Sequence, residues 1–448
     1  MMDTPICDFV RQYSDCKPIR LHMPGHKGSS YLGMEALDIT EITGADVLYH
    51  GDGVIRASEE NAARLFGTAK TLYSTEGSSL CIRAMLYLAL LYARQTGRRP
   101  LIAAGRNAHK VFLTAAALLD LEVQWLFSGQ EGQSIVSCTI TPKTLDAALS
   151  AASEKPVAVY ITSPDYLGNQ ADLAALAAVC HRHGALLLLD NAHGAYLKFL
   201  SPSRHPMDLG ADLCCDSAHK TLSALTGGAY LHLSRSAPEE LGDWMESAMS
   251  LFASTSPSYL ILQSLDRANR YLAEGYADRL EKTAKRVAGL RSELERRGWT
   301  TVGDEPLKLA LLPKSRGYTG EQVGEILEHH KVFCEFADPD NLVMMFTPET
   351  PEEVYGQLAL LLAGISPRTP ILDAPPHLGR PKCACSPREA MLAPSEEIPV
   401  SESLGRVLAA PGVSCPPAVP IVVCGEVIDE AAQNAFAYYG IETCRVMK

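Results

Sequence analysis

A-L-L-L-L-D-N-A-H-G-A-Y, residues 185–196, is the stretch that decides the fold. Its unbroken run of leucines predicts a strand that is buried on both faces, as the strands of parallel sheets are. Asp190 ends this strand and opens the loop that follows. Because ligands of open α/β sheets bind beyond the carboxyl ends of the strands, we expect the Asp190 carboxylate to face a ligand. An aspartate that only caps its own loop is the alternative.

The segments on either side repeat the same alternation of short apolar runs and helical stretches. Strands are expected at residues 101–104, 123–127, 157–161, 185–189, 211–214 and 229–233, and helices at 80–94, 108–119 and 172–183. Alternating strands and helices predict an α/β fold whose sheet is mostly parallel and covered by helices on both faces.

Changes in composition along the 448 residues predict four domains, since one core rarely serves a chain of this length. Residues 1–50 form an N-terminal arm, 51–258 a large domain, 259–365 long helices with a small α+β domain, and 366–448 a C-terminal α+β domain. A proline-rich linker marks the last boundary. Beyond it, the apolar run at 419–423 predicts a strand.

Composition and charge are those of a soluble globular protein. Hydrophobic residues make up 47% of the chain, charged residues 21%, and the formal net charge is −12. The sequence has no basic stripe of the kind that binds nucleic acid, and no apolar run long enough to span a membrane. Its 13 scattered cysteines indicate reduced thiols, and its N-terminus lacks the apolar core of a signal peptide. The expected location is the cytoplasm.

The motif S-A-H-K-T-L, residues 217–222, follows another apolar run and is therefore also expected beyond a strand end. A lysine in a crevice can lose its proton and attack a carbonyl, whereas a lone lysine is more often a solvated loop residue. Asp190 changes this balance. A lysine that forms a Schiff base and a carboxylate that pairs with a pyridinium nitrogen are what pyridoxal phosphate requires. Lys220 and Asp190 together are interpreted as a pyridoxal-phosphate site.

Two further segments could contribute to this site. Ser78 and Ser79 open a helical stretch, where hydroxyls and backbone N–H groups can bind a phosphate, although serines there are usually ordinary caps. His109, in R-N-A-H-K, could stack on a cofactor ring, but the residues alone favour packing. His22 and His26 are spaced like metal ligands, yet the Pro-Gly between them prevents the helix that would align them, and no metal site is expected.

In these motifs the sequence resembles the Orn/Lys/Arg decarboxylases, in their short bacterial form, which are fold-type I pyridoxal-phosphate enzymes with the aspartate-aminotransferase fold. The matching segments run nearly end to end and include L-H-M-P-G-H-K-G, D-V-L-Y-H-G-D-G-V-I, R-N-A-H-K-V-F-L-T-A, I-T-S-P-D-Y-L-G-N-Q-A-D-L, D-S-A-H-K-T-L-S-A-L-T and S-T-S-P-S-Y-L. The resemblance implies decarboxylation of arginine, lysine or ornithine to the amine, a step of polyamine biosynthesis.

The resemblance also implies a role for each matching residue. Lys220 would bind the cofactor, Asp190 would pair with the pyridinium nitrogen, and Lys220 or His219 would return a proton to the product. His109 would stack on the ring, which replaces the packing interpretation. The other cofactor contacts would come from Ser78, Ser79, Ala192, His193, Ser217, His219, Thr255 and Ser256. The segment around Thr255 and Ser256 would reach the phosphate in a partner subunit, so a homodimer with shared active sites, or a higher oligomer, is expected.

Some positions depart from the family pattern, and some alternatives stay open. Glu76 begins the run E-G-S-S-L-C where the family has N-G-S-T-G-G, and Asn191 stands where the short form often has glutamate. Glu335 is the candidate that would bind the distal cation of the substrate, with a solvated loop residue as the alternative. The other possible functions are an aminotransferase or another pyridoxal-phosphate enzyme of this fold, and a non-catalytic protein that kept the fold.

Overall fold

The computed structural model describes residues 2–128, 135–411 and 419–448. The α-helices are α1 Pro5–Asp15, α2 Val54–Phe66, α3 Gly77–Gln95, α4 Lys110–Leu119, α5 Pro142–Ala151, α6 Leu173–Arg182, α7 Ala218–Thr221, α8 Glu239–Phe252, α9 Tyr259–Ala273, α10 Tyr276–Arg296, α11 Gly320–His329, α12 Glu352–Gly364, α13 Pro387–Leu392 and α14 Glu430–Tyr438. The strands are β1 Lys70–Ser74, β2 Leu101–Gly105, β3 Glu122–Leu126, β4 Ala158–Thr162, β5 Leu186–Asp190, β6 Leu213–Asp216, β7 Ala229–Leu233, β8 Thr301–Val302, β9 Lys308–Leu311, β10 Phe336–Ala337, β11 Leu342–Met345, β12 Ser395–Pro399 and β13 Thr443–Met447.

The first of two compact units comprises residues 1–99, 157–159 and 173–280. Its strands lie side by side in the order β1-β7-β6-β5. β5 and β6 are parallel, whereas β7 is antiparallel to both of its neighbours, β6 and β1. All residues of β5 are buried, as its leucine run predicts. The carboxyl ends of β1, β5 and β6 therefore lie at the same edge of the sheet.

Helix α3 begins at this edge, because it follows the carboxyl end of β1. It packs against α8 and against β6 and β7. Leu80, Met85 and Leu88 are among its fully buried residues. Its N-terminus is held in place by a hydrogen bond from the Gly77 N–H to the Gly227 carbonyl oxygen at 2.7 Å. The start of α3 and the loops after β5 and β6 are thus on one side of the first unit.

The second unit comprises residues 100–156, 160–172 and 281–448. In it β2 and β3 form a parallel pair that is joined by α4. An antiparallel sheet has the strand order β10-β11-β9-β8, and β12 pairs with β13. The larger sheet packs with α10, α11 and α12 around a core that includes Leu294, Trp299, Leu311, Val323 and Leu362.

The expected α/β fold with mostly parallel strands is confirmed. The six expected strands correspond to β2 through β7, and the three expected helices to α3, α4 and α6, with ends that agree within three residues. The strand expected at 419–423 is wrong, because these residues pair with no strand. Ile421 and Val422 are instead buried in a core with Ile428 and Phe436, so burial accounts for the apolar run. The four-domain division stays a prediction.

The cysteines of the described part of the chain are free thiols. Among the described residues, none of the helices combines the length and the apolar character needed to cross a membrane.

Candidate active site

The loops after β5 and β6 bring Asp190 and Lys220 to the same edge of the first unit. Asp190 is the last residue of β5 and lies opposite Cys215 of β6 in the sheet register. Its side chain is buried, and its Oδ1 accepts from the Ala192 N–H at 3.3 Å and from the Cys215 Sγ at 3.6 Å. Lys220 lies on α7, a single helical turn that follows β6. Both side chains therefore belong to the edge at which α/β sheets bind ligands.

A direct contact joins these two loops. The Lys220 Nζ lies 3.1 Å from the Nε2 of His193. Because a lysine ammonium only donates, Nε2 accepts this hydrogen bond when the amine is charged, and the ring proton is then on Nδ1. The lysine amine is thereby held beside the loop that carries Asp190. His193 was placed in the site by the family resemblance and not by its own surroundings in the sequence.

Serine hydroxyls gather at the start of α3. The Ser217 Oγ donates to the Ser78 Oγ at 2.8 Å, and Ser79 follows in the first turn of the helix. A helix of 19 residues presents unsatisfied N–H groups and the positive end of its dipole at this point. Hydroxyls beside a long helix N-terminus fit a phosphate monoester, and Asp190 and Lys220 on the adjoining loops fit a ring nitrogen and a carbonyl carbon. This donor set fits the expected pyridoxal phosphate.

The turn at Gly227 and Gly228 holds this edge together. The Gly228 carbonyl oxygen accepts from the backbone N–H of His219 at 3.2 Å and lies 3.0 Å from its Nδ1. A carbonyl only accepts, so Nδ1 of His219 carries a proton and Nε2 is the ring atom that can exchange one. Gly227 has a φ of +101°, and a Cβ at this position would lie 2.8 Å from the Thr75 carbonyl oxygen. The turn therefore requires glycine at 227.

Glu76, the N-cap residue of α3, has a donor for its carboxylate. Its Oε1 accepts from the backbone N–H of Ser254 at 2.7 Å. This hydrogen bond compensates part of the negative charge that Glu76 brings to the start of α3. Thr255 and Ser256 come directly after Ser254 and are exposed. The segment thus contacts the start of α3 in its own chain, and its contact with a partner subunit stays a prediction.

A buried hydrogen-bond network, which the sequence analysis did not include, joins the loops after β5 and β6. Asp216 ends β6, and its Oδ2 lies 2.9 Å from the Nε2 of His205 and 3.2 Å from the Nε2 of His232. Its Oδ1 accepts from the side-chain amide of Asn191 at 2.7 Å. All four side chains are buried. The sequence feature that could have indicated Asp216 is its position as an acidic residue at the end of the apolar run L-C-C-D.

The charges in this network are assigned by burial and by the hydrogen bonds. Burial alone would raise the pKa of Asp216, but its electrostatic interactions and hydrogen bonds with the rings of His205 and His232 outweigh this effect and hold that pKa well below its usual range. Burial lowers the pKa of His232, which favours its neutral form. The Nδ1 of His205 accepts from the Met207 N–H at 3.3 Å, so Nε2 carries the proton that is donated to Asp216.

These assignments bear on metal binding. Within the described part of the chain, His205, Asp216 and His232 are the group close enough together to hold a metal ion. The ring atom of His205 that faces the carboxylate already carries a proton, so its lone pair is not available to a metal. His22 and His26 each face a different partner, Tyr13 at 2.5 Å and Asp38 at 3.2 Å. The hydrogen bonds account for each of these histidines.

His109 and Glu335 lie in the second unit. His109 is the N-cap of α4, and its Nδ1 accepts from the Val111 N–H at 3.2 Å. Glu335 is exposed and accepts from the Tyr166 hydroxyl at 2.7 Å. The capping role of His109 is therefore present in the structure. Its stacking on the cofactor ring and the contact of Glu335 with the substrate stay predictions, as do the roles of the residues in the first unit.

Comparisons with known protein families, sequences and structures all find decarboxylases of basic amino acids. The family model for the Orn/Lys/Arg decarboxylase major domain matches residues 4–306. An arginine decarboxylase of Bacillus subtilis is 29% identical, over 96% of this chain and 92% of that protein. An arginine decarboxylase of Halalkalibacterium halodurans is 28% identical, over 96% and 91%. A lysine decarboxylase structure from Francisella novicida has a TM-score of 0.80 at 17% identity, covering 99% of this chain and 81% of its own, which shows a shared fold.

Proposed function

The chain belongs to the Orn/Lys/Arg decarboxylase family and is a pyridoxal-phosphate-dependent decarboxylase of a basic amino acid, and from this premise we propose that its substrate is arginine. The arginine decarboxylases of the comparison are matched almost end to end, which supports this choice over lysine and ornithine. The observation that carries the proposed site is the position of Asp190 at the carboxyl end of β5 and of Lys220 on α7, directly after β6, at one sheet edge.

The proposed roles follow from the surroundings of each side chain. Pyridoxal phosphate, when bound, supplies an electron sink for the C–C bond that breaks. Lys220 would hold it covalently through Nζ, and the buried Asp190 carboxylate would keep the ring nitrogen protonated. Ser78, Ser217 and the N-terminus of α3 would bind the phosphate. Each of these groups is supported by strands or helices, so little reorganisation is needed for binding.

A proton must replace the carboxylate on the substrate carbon. His219 is suited to this step because the Gly228 carbonyl fixes its ring through Nδ1 and so directs the exchange to Nε2. Lys220 is the second candidate, since its Nζ lies within hydrogen-bond distance of Nε2 of His193. His109 is proposed to stack on one face of the cofactor ring.

The guanidinium of arginine needs a partner, because burying a cation without one costs several kcal/mol. We assign this role to Glu335. The Tyr166 hydroxyl donates to its Oε1, which orients the carboxylate, and two carboxylate oxygens match the paired N–H donors of a guanidinium.

A second copy of the chain is the proposed partner. Ile19, Leu21, Tyr31 and Leu32 of the N-terminal arm expose 82–90% of their surface. Large apolar side chains exposed together on one segment are typical of a surface that another protein covers. The exposed Thr255 and Ser256 are assigned to the same interface. We place the enzyme in the cytoplasm, in keeping with its free thiols.

The experiment that tests the substrate is product analysis with purified protein and pyridoxal phosphate. Arginine should give CO2 and the corresponding amine with the highest kcat/KM, and lysine and ornithine should be weaker substrates. Equal kcat/KM values for the three would contradict arginine as the substrate. Release of a keto acid in place of CO2 would indicate an aminotransferase.

A further inference from the structure

We propose that the C-terminal module, residues 383–411 and 419–448, positions His109 by holding helix α4 at both ends. This inference rests on the proposed role of His109 at the cofactor. It adds Arg106, Glu426 and Arg388 as positioning residues, none of which the sequence analysis singled out. The residues involved all belong to the second unit.

At the N-terminal end of α4, the module binds Arg106, which stands three residues before His109. The Arg106 Nη2 donates to the Glu426 Oε2 at 2.6 Å and to the Ile421 carbonyl oxygen at 3.2 Å. Its guanidinium also lies over the Trp125 ring, 5.1 Å from the ring centre. The two charged side chains expose only 13% and 4% of their surface. Removal of either partner of such a buried pair is destabilising, because the other charge is then left uncompensated.

The short segment from Arg106 to His109 passes this constraint on to the histidine. The Arg106 N–H donates to the Leu126 carbonyl oxygen at 3.1 Å, and the Ala108 N–H donates to the Gly105 carbonyl oxygen at 3.1 Å. With the backbone bonded on both sides, the segment has little freedom of its own. A shift of Arg106 must therefore move the N-cap residue, His109.

At the C-terminal end of α4, the module supplies Arg388. Its Nη1 donates to the carbonyl oxygens of Ala117 and Leu118, each at 3.0 Å. Its Nε lies 3.9 Å from a carboxylate oxygen of Asp120, the C-cap residue. Carbonyls in the last turn of a helix lack full intrahelical bonding, and a cation there interacts favourably with the helix dipole. Arg388 therefore fixes the end of α4 opposite His109.

One local structure of the module carries both contacts. The N–H groups of Ala384 and Cys385 donate to the Gly425 carbonyl oxygen at 2.8 and 3.3 Å. Gly425 has a φ of +90°, and a Cβ there would lie 2.2 Å from the Cys385 carbonyl oxygen, so only glycine fits. Glu426 comes directly after this glycine. Arg388 lies on α13, three residues after Cys385. The segments that bind the two ends of α4 are thus bonded to each other.

The test compares holoenzymes that carry Glu426→Gln, Arg388→Gln or the control Glu396→Gln. Glu396 pairs with Arg406 inside the same module at 2.8 Å and contacts no part of α4 among the described hydrogen bonds. Two quantities are measured: hydrogen exchange of the Val111 amide, whose N–H donates to His109, and visible circular dichroism of the bound cofactor. We expect the first two variants to raise the exchange rate by roughly tenfold and to weaken the circular-dichroism band. The control should change neither.

Unchanged Val111 exchange in both variants overturns the inference. Where His109→Ala weakens the band, faster exchange with an unchanged band in the module variants also overturns it, because the module then stabilises α4 without positioning His109. Arg388 is partly exposed, so Arg388→Gln keeps the test decisive if Glu426→Gln fails to fold. His109→Ala separates the two proposals. If it leaves the band unchanged, the role of His109 in the proposed function fails, and the exchange result alone decides whether the module holds α4.

Discussion

Lys220 has a defined partner in the structure, since its Nζ lies 3.1 Å from the Nε2 of His193. Its assignment as the cofactor lysine leads to the first prediction. Lys220→Ala should abolish decarboxylation with the fold intact, because the covalent link to the cofactor is lost. Borohydride treatment followed by peptide mapping should find the label on Lys220 in the wild type. Lys285→Ala, at an exposed position on α10, serves as the control with normal activity. A label on another lysine would contradict the assignment.

Glu335 leads to a prediction about substrate binding. Glu335→Gln should raise the KM for arginine by roughly tenfold and change kcat little, since the contact holds the ground state and the transition state alike. Norleucine, which lacks the distal cation, should be a poor substrate of the wild type. Glu325→Gln on the exposed face of α11 is the matched control and should leave KM unchanged. If norleucine reacts as well as arginine, the recognition of a basic side chain is disproved.

Glu59 leads to a prediction about pH and stability. It is buried, its Oε1 accepts from the Tyr73 N–H at 2.9 Å, and burial raises its pKa from 4.5 to about 8. Between these values the folded protein binds a proton that the unfolded chain releases. The contribution of Glu59 to stability is therefore fully present below pH 4.5 and is lost as the pH rises through 8.

The free energy of unfolding should accordingly fall more between pH 5 and pH 8 in the wild type than in Glu59→Gln. The difference should be on the order of a few kcal/mol, and denaturant unfolding at the two pH values measures it. Glu60→Gln, at the exposed neighbouring position on α2, should keep the wild-type dependence. Parallel behaviour of the wild type and Glu59→Gln would refute the pKa assignment.

At the scale of elements, the candidate site depends on a single turn. Gly227 accepts from the first residue of α3 and Gly228 accepts from His219, so the turn sets both the phosphate end and the proposed proton donor. Gly227→Ala should weaken pyridoxal-phosphate binding by about tenfold or more, because the added Cβ meets the Thr75 carbonyl in a left-handed conformation. Cofactor titration of the purified apoenzyme measures this affinity.

The matched control is Gly289→Ala inside α10, where a Cβ would meet no atom within 4 Å. It should leave the cofactor affinity unchanged and stabilise the protein by up to about 1 kcal/mol, since alanine favours a helix interior more than glycine does. Equal cofactor affinity in the Gly227 and Gly289 variants would show that the turn does not shape the site.

At the scale of the whole molecule, the question is whether Thr255 and Ser256 act in their own chain or in a partner. Lys220→Ala and a double variant with large side chains at 255 and 256 should each be inactive alone. After subunit exchange, a hybrid dimer with shared sites has one site with both defects and one with neither, so activity should return to about half of the sites of each hybrid dimer. If the segment acts in its own chain, as its contact with Glu76 permits, every hybrid site keeps one defect. Activity that stays absent after demonstrated exchange would contradict shared sites.

Local patterns were enough to predict much of this protein. The leucine run predicted β5, and the alternation of strands and helices predicted the α/β class, while family motifs indicated Lys220 and Asp190, whose roles stay predictions. These features could be predicted because each depends on a local sequence pattern: a hydrophobic periodicity, the end of an apolar run or a short motif. The apolar run at 419–423 shows the limit, since burial in a core and pairing in a sheet require the same residues.

The sequence by itself determined the fold class, the family and the two loops that carry the candidate site. Only the tertiary structure decided which side chains support them. Asp216 meets His232 from a neighbouring strand, Glu76 meets Ser254 across 178 positions, and Arg106 meets Glu426 across 320. Such contacts have no period in the sequence, because chain packing brings together residues whose separation is set by the topology. A sequence shows which charged residues adjoin apolar runs, but only the folded chain determines the residue with which each of them pairs.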